Sequence, residues 1–190
     1  MQDVIRKNFT DHLEAVNKVL ESDVEIIELF GNLLSNCLKE NGIIFWCGNG
    51  GSASDSQHIA AELVGRFKKE RRALRSVALT TDTSILTSVG NDYGFKEIFS
   101  RQLEALGSSG DVLVGISTSG NSENIIRAFK VAKNLGITTL ALTGKDGGNL
   151  KTISDHYLIV TSESTARIQE SHILIGHILC DLIEKKLQLV

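Results

Sequence analysis

The first forty residues carry apolar side chains with the spacing of a helix. In segments 9–20 and 26–38, apolar residues recur at every third or fourth position, which is the period of one face of an α-helix. Two helices are therefore predicted within residues 1–41, and Ser22-Asp23 is the predicted cap between them.

After residue 42 the pattern changes to short apolar runs, which are separated by helical stretches. The runs predict five strands, at 43–47, 76–79, 112–116, 138–142 and 157–160. Helical spacing lies between most of them, near 53–69, 95–106 and 122–135, and again near 164–186. Strands that are apolar on both faces and alternate with helices indicate a parallel sheet that is covered on both sides. The chain is therefore predicted to be one α/β domain over 1–190, with its core in 42–190.

Composition and charge exclude several classes of function. The 190 residues are 42% hydrophobic and 23% charged, which is typical of a soluble domain with a full core. Twenty Lys and Arg against twenty-three Asp and Glu give a net charge of −3, so neither nucleic acid nor a membrane is the expected partner. Three cysteines indicate a reduced compartment. Without a signal peptide or an apolar run long enough to cross a bilayer, a cytoplasmic location is expected.

The most polar and glycine-rich turns follow two of the predicted strands, at 48–52 and at 117–122. In an open parallel sheet, ligands bind outside the carboxyl ends of the strands, where strand order reverses. The 117–122 turn holds four hydroxyl residues, and Gly120 lets the backbone approach a ligand closely. With the N–H groups of the following helix, these hydroxyls predict a phosphate site. The alternative is that they only cap that helix.

The 48–52 turn is less specific by itself. Ala53 and Ser54 break the G-x-G-x-x-G pattern of dinucleotide sites, and the Gly-Lys-Ser/Thr ending of a nucleotide triphosphate loop is absent. A tight turn between strand and helix is the alternative interpretation. Two such turns in one sheet favour a small phosphorylated ligand over a nucleotide cofactor.

Candidate acid–base groups lie on two predicted helices. His58 and Glu62 are four residues apart and therefore face the same side. His177 lies in an apolar run of the last helix, where a core histidine is the alternative to a catalytic one. His156 and His172 are interpreted as core residues.

A second grouping of these side chains would suit a metal ion. His58, Glu62, Gln169 and His177 offer nitrogen and oxygen ligands, although their spacing is not a zinc signature. Gln169 and His177 are eight residues apart, about 12 Å along a helix. They would reach one point only with extended side chains, or from different subunits.

Five segments in order resemble a known family, at 47–52, 90–95, 115–122, 142–148 and 167–170. The set is similar to the phosphoheptose isomerases of the sugar isomerase (SIS) domain superfamily, and the resemblance runs nearly end to end. It implies a three-layer α-β-α sandwich of flavodoxin-like type, with a five-stranded parallel sheet and two extra N-terminal helices. It also implies a homotetramer with sites between subunits.

The resemblance implies an aldose–ketose isomerase that converts D-sedoheptulose 7-phosphate to D-glycero-D-manno-heptose 7-phosphate, for bacterial heptose biosynthesis. By matching motif, the phosphate is held by Ser52, Ser117, Thr118, Ser119 and Ser122. The residues facing the sugar are Asn49, Gly50, Gly51, Asn91, Asp92 and Gln169. Glu62 and His177 match the acid–base pair. Relatives that bind zinc do so at the positions of His58, Glu62, Gln169 and His177.

Non-catalytic relatives supply the alternative function. Some SIS proteins bind the bacterial replication initiator; they lack the carboxylate and the imidazole and break the serine-rich turn with a bulky basic residue. This chain has Glu62, His177 and an intact 117–120 segment, which favours the enzyme. A sugar-phosphate-sensing domain of a transcription regulator is not expected, because the N-terminal helices leave no room for a DNA-binding module.

Overall fold

The computed structural model of the chain describes residues 1–189, which contain one sheet of five parallel strands. The strands lie in the order β2-β1-β3-β4-β5 across the sheet. Their bounds are β1 (Ile44–Gly48), β2 (Ser76–Ala78), β3 (Val112–Ser117), β4 (Thr138–Gly144) and β5 (His156–Val160). Helices cover both faces of the sheet. The predicted α/β three-layer fold is therefore confirmed.

Helices precede the sheet and connect its strands. Within the described residues they are α1 (Gln2–Ser22), α2 (Val24–Lys39), α3 (Gly51–Val64), α4 (Thr83–Asp92), α5 (Ser100–Leu106), α6 (Glu123–Leu135), α7 (Leu150–Ile153) and α8 (Thr165–Lys186). A short 3-10 turn spans Phe95–Glu97. Across residues 1–189, none of these helices has both the length and the apolar character needed to span a membrane.

The two apolar layers of the core follow from the alternation of side chains along each strand. In β1, Ile44 and Trp46 face the layer that includes α2, α3 and α8, whereas Phe45 and Cys47 face the layer that includes α5 and α6. All four side chains are fully buried. A strand covered on both faces appears in the sequence as a continuous apolar run, which is why β1 was predictable.

Strand β5 differs from the expectation that both of its faces are buried. It lies at the edge of the sheet, and Tyr157 keeps 38% of its surface exposed. His156, at the start of the same strand, is only half-buried, so its interpretation as a core histidine is wrong. Helices cover the edge strands of a sheet less completely than its central strands. The sequence alone does not show which strands lie at the edge; the order of the strands in the structure does.

Helix boundaries differ from the prediction at several points. The helix predicted near 53–69 is α3, which ends at Val64, and the one near 95–106 is divided between the 3-10 turn and α5. Helices α4 and α7 have no counterpart in the prediction. Helix α4 has only a short apolar stripe, in which Leu86 and Val89 pack partly buried against the core and no residue is fully buried. Asp23 is the N-cap of α2 as expected, but its side chain makes no capping hydrogen bond.

The topology places the two glycine- and serine-containing turns side by side. Strand β1 pairs with β3 in parallel, and Gly48 lies opposite Ile116 at the carboxyl end of the pair. The chain moves from β1 outward to β2 and then returns to the other side of β1 as β3. Strand order therefore reverses between β1 and β3, the position at which such sheets bind ligands.

Candidate active site

Two helix N-termini meet at the carboxyl edge of the sheet. The 48–52 turn leads from β1 into α3, and its Gly50 has a φ of +56°, which favours glycine. Asn49 exchanges two amide hydrogen bonds with Asn124 in the first turn of α6, at 2.9 and 2.8 Å. This amide pair holds the starts of α3 and α6 together. The N–H groups of Ser52 and Ala53 donate to the carbonyl oxygens of Asn49 and Gly50, and that of Ile125 donates to the carbonyl oxygen of Ser122. The positive ends of the two helix dipoles still make this edge favourable for an anion.

The hydroxyl groups of the 117–122 turn contact one another instead of capping α6. Ser117 Oγ and Ser122 Oγ lie 3.0 Å apart, and Ser119 Oγ accepts a hydrogen bond from the N–H of Asn121. Ser122 is the N-cap residue of α6, yet its side chain makes no capping hydrogen bond. The capping interpretation is therefore wrong for Ser122.

The loop after β4 holds the 117–122 turn in shape. Gly120 has a φ of +64°, and its carbonyl accepts a hydrogen bond from the N–H of Leu150 at 2.9 Å. A Cβ atom at Gly120 would overlap the carbonyl oxygen of Gly147. Only glycine fits this contact, which, together with the hydrogen bond from Leu150, fixes the conformation of the turn at Gly120.

A cluster of three titratable side chains joins α3 to α8. His58 Nε2 lies 3.3 Å from Glu62 Oε1 and 3.5 Å from His177 Nε2. One ligand atom of each residue lies within 4.8 Å of the others. The His177 ring also stacks on Phe67, with 5.7 Å between ring centroids and an angle of 15° between the ring planes. The cluster can exchange protons or bind a cation.

The core interpretation of a histidine on α8 applies to His172 and not to His177. His172 is 1% exposed, and its Nε2 lies 2.9 Å from the carbonyl oxygen of Thr143. Burial lowers the pKa of His172 to about 4, and the hydrogen bond to Thr143 opposes this only in part. His172 is therefore neutral and structural. His177 is half-buried and faces other titratable groups.

Asp55 is one turn before His58 on α3 and was not among the predicted residues. Burial raises the pKa of Asp55 to about 6, against the opposing effect of the nearby His58. Its Oδ2 is buried and, within residues 1–189, makes no hydrogen bond. The spacing of Asp55 and His58, three residues apart on one predicted helix, was visible in the sequence and could have marked Asp55 as a candidate site residue.

Comparisons with known proteins show which family this site belongs to. The family model described as SIS domain matches residues 8–144. The phosphoheptose isomerase of Helicobacter pylori strain P12 is 56% identical over 185 residues, which are 97% of this chain and 96% of that protein. The chain belongs to the phosphoheptose isomerase family. Its fold also matches solved phosphoheptose isomerases from Neisseria gonorrhoeae (47% identical, TM-score 0.91) and Francisella tularensis (39% identical, TM-score 0.94), each over 97% of this chain and 98% of the other.

Membership in the phosphoheptose isomerase family makes the protein an isomerase. Relatives carrying that name match nearly the whole chain at 52% identity or more. The alternative, a non-catalytic regulator that binds the replication initiator, is therefore not favoured. The recognition of the family from five short motifs is confirmed.

Not all residues assigned from the phosphoheptose isomerases come together in one chain. The Gln169 amide lies against Gly51, where a Cβ atom would be 2.7 Å from its Nε2. Gln169 therefore lies beside the 48–52 turn. His58 is seven residues, or about 10 Å, further along α3, so Gln169 does not join the cluster of His58, Glu62 and His177 within one chain. Asn91 and Asp92 are exposed at the end of α4, where they hydrogen-bond to each other at 2.8 Å.

Two further side chains at the site, besides Asp55, were not predicted from the sequence. Asn124 is buried in the first turn of α6 and orients Asn49; a polar residue just after the serine-rich turn was its only signal. Phe67 follows the end of α3, and nothing in the local pattern indicates that its ring contacts His177. That contact depends on how α3 and α8 pack.

Proposed function

We propose that this isomerase interconverts D-sedoheptulose 7-phosphate and D-glycero-D-manno-heptose 7-phosphate through an enediol. This reaction is the first step of bacterial heptose biosynthesis for lipopolysaccharide core or other surface polysaccharide. One observation carries the proposal: the N-termini of α3 and α6 meet between β1 and β3, and an imidazole–carboxylate cluster lies further along α3. The names of the relatives agree with it.

The serine-rich turn is the proposed phosphate site. Its hydroxyl groups, together with Ser52 and the first N–H groups of α3 and α6, would surround the phosphate oxygens. The hydroxyls proposed as donors are those of Ser52, Ser117, Thr118, Ser119 and Ser122. Because residues 117–122 contain no Lys or Arg, these hydroxyl and N–H groups supply the charge-assisted hydrogen bonds there.

The sugar would extend from this phosphate along α3. Asn49, Gly50, Gly51 and Gln169 lie at the start of that helix, and Asn91 and Asp92 are proposed to face the sugar as well. Gln169 already lies against Gly51. In this arrangement the phosphate end and the polar chain of the heptose lie at the sheet edge, with the carbonyl end directed toward the cluster.

The proton transfers are assigned to Glu62 and His177. Moving the carbonyl between C2 and C1 removes a proton from one carbon, delivers one to its neighbour, and exchanges protons at two oxygens. We assign the carbon-bound proton to the Glu62 carboxylate and the oxygen-bound protons to the His177 imidazole. Their ligand atoms lie within 4.8 Å, a separation suited to two neighbouring carbon atoms and their oxygens.

The cluster also fits a zinc ion. Its nitrogen and oxygen donors suit zinc, and the separations of 3.3 and 3.5 Å agree with the roughly 3.3 Å between neighbouring ligands of a tetrahedral site. His58, Glu62 and His177 would hold the ion. Because Gln169 lies beside Gly51, about 10 Å along α3 from His58, the predicted fourth ligand would have to come from a neighbouring subunit. When bound, zinc would polarise the carbonyl and stabilise enediolate charge. Glu62 and His177 would then have fewer lone pairs free for proton transfer.

Incubation with D-sedoheptulose 7-phosphate in heavy water tests the reaction. We expect NMR to show the aldose 7-phosphate carrying deuterium at C2, because a proton that passes through an enediol can exchange with solvent. Unphosphorylated sedoheptulose is the matched control and should be a very poor substrate. Absence of the aldose product would contradict the proposal. A parallel sample with a chelator shows whether turnover requires the metal.

We infer a homotetramer with sites between subunits. Helices α1, α2 and α8 border an apolar groove of about 460 Å³, and Phe9, Leu13 and Leu20 on α1 are each more than half exposed. Asn91 and Asp92 are free to reach a neighbouring subunit. Light scattering at micromolar protein should give the mass of a tetramer. A monomeric mass would overturn this inference.

A further inference from the structure

An ion pair is buried beside the cluster, outside the residues assigned to the reaction. Arg71 Nε lies 2.9 Å from Glu184 Oε1, and the two side chains are only 2% and 0% exposed. Arg71 belongs to the loop after α3, and Glu184 belongs to the last turn of α8. The pair is buried within one chain, so its environment does not depend on assembly.

The remaining donors of Arg71 bind the end of α3. Its Nη2 donates to the carbonyl oxygen of Glu62 at 2.8 Å, and its Nη1 donates to the carbonyls of Leu63 and Gly65 at 2.9 and 3.0 Å. Carbonyls in the last turn of a helix have no partners within it, and a cation there is favourable. Arg71 therefore holds the main chain of Glu62 directly.

Glu184 contacts His177 indirectly, through the loop segment that carries Phe67. Its carboxylate accepts hydrogen bonds from the N–H groups of Phe67 and Lys68, at 3.1 and 3.2 Å. The Phe67 ring then stacks on His177. Since His177 precedes Glu184 by seven residues, both lie on about the same face of α8, two turns apart. One buried pair thus connects to both candidate proton-transfer residues.

Stability alone does not account for a pair of this kind. Removing two charges from water carries a large desolvation cost, and apolar side chains of similar volume often serve a core equally well. The forked guanidinium, however, can bind several acceptors at once, and here it binds four main-chain carbonyls, including that of Arg72, and a carboxylate. Arg71 contacts the main chain of Glu62, and Glu184 contacts the main chain of Phe67, whose ring stacks against His177.

We propose that Arg71, Glu184 and Phe67 are positioning residues, which set the separation and ring orientation of Glu62 and His177. This inference rests on the proposed roles of Glu62 and His177 in proton transfer. Small displacements of reacting groups lower the rate of the chemical step, by up to about 100-fold for a shift of about 1 Å. Substrate binding depends on the turns at the sheet edge, so KM should stay unchanged.

Variants of Phe67 separate positioning from general packing. Phe67→Leu should lower kcat by roughly 10- to 100-fold with KM within about twofold, and Phe67→Tyr, which keeps the stacked ring, should restore kcat. Phe99→Leu is the matched control, because Phe99 is buried in the apolar layer on the other face of the sheet. It should lower Tm and leave kcat unchanged. Unchanged kcat in Phe67→Leu, or a rise in KM alone, overturns the proposal.

Arg71→Lys tests the ion pair with its charge retained. Lysine cannot make the forked contacts to the Glu62, Leu63 and Gly65 carbonyls, so kcat should fall at constant KM. Arg127→Lys is the control: it removes the guanidinium contacts of Arg127 to Glu97 and Glu123, at 2.7 and 2.9 Å, on the other face of the sheet, and should keep wild-type kcat. Equal losses in both variants overturn the proposal. If Arg71→Lys does not fold, the Phe67 series decides.

Two further variants distinguish failure of this inference from failure of the assigned chemistry. If Glu62→Gln and His177→Ala keep their turnover, the proposed proton-transfer roles are wrong and the positioning proposal falls with them. If both lose turnover while Phe67→Leu and Arg71→Lys keep wild-type kcat, only the positioning proposal is wrong.

Discussion

Glu62→Gln and His177→Ala are each expected to lower kcat by about 10²- to 10⁴-fold, the usual contribution of a general acid or base. Glutamine keeps the shape of Glu62 but cannot take up a proton, and alanine removes the His177 imidazole altogether. Both residues are half-buried and lie outside the apolar layers of the core, so the variants should stay folded. The measurement is kcat at saturating sedoheptulose 7-phosphate, with circular dichroism as the test of folding.

His156→Ala is the matched control for these variants. His156 is also half-buried, but it lies at the start of β5, at the opposite end of the strands from the candidate site. Its loss should leave kcat unchanged. Wild-type kcat in a folded Glu62→Gln or His177→Ala protein would show that the roles are assigned wrongly.

Ser119→Leu is expected to raise KM by roughly 100-fold or more, and by more than Ser117→Ala or Ser122→Ala. A leucine side chain in this turn would occupy the proposed phosphate position and remove several charge-assisted hydrogen bonds, each worth about 1.5–3 kcal/mol. Each Ser→Ala change removes one hydroxyl, worth roughly 0.5–3 kcal/mol. The comparison requires KM of all three variants for sedoheptulose 7-phosphate.

The unphosphorylated sugar provides the control for the serine variants. If the 117–122 turn binds the phosphate, the same substitutions should make little further difference to the already poor turnover of sedoheptulose. Unchanged KM for the phosphorylated substrate in all three variants would exclude this turn. The 48–52 turn would then be the remaining place for the phosphate.

The architecture was largely predictable from the sequence because its signals are local. Central strands such as β1 and β3 are covered on both faces, so they appear as unbroken apolar runs. The turns that follow them carry glycine and hydroxyl residues in consecutive positions. Since all the strands run parallel, their carboxyl ends lie at one edge, and the sequence therefore assigns the two turns to one site.

Elements without a strong local pattern required the structure. Helix α4 has only a short, partly buried apolar stripe, and β5 lies at the edge of the sheet, so the hydrophobic pattern predicted neither correctly. The same limit applied to His177, whose apolar neighbours on α8 suggested a core residue. Its position opposite His58 depends on the packing of α8 against α3, which no spacing along one helix can show.

The sequence by itself determined the fold class, the family and the edge of the sheet at which a ligand binds. Only the tertiary structure decided that His58, Glu62 and His177 converge, that Asn124 orients Asn49, and that Arg71 and Glu184 form a buried pair. His177 and His58 are 119 residues apart, and Arg71 and Glu184 are 113 apart. Hydrophobic periodicity and turn chemistry act over a few residues, whereas these contacts arise only when separate helices pack on the same face of the sheet.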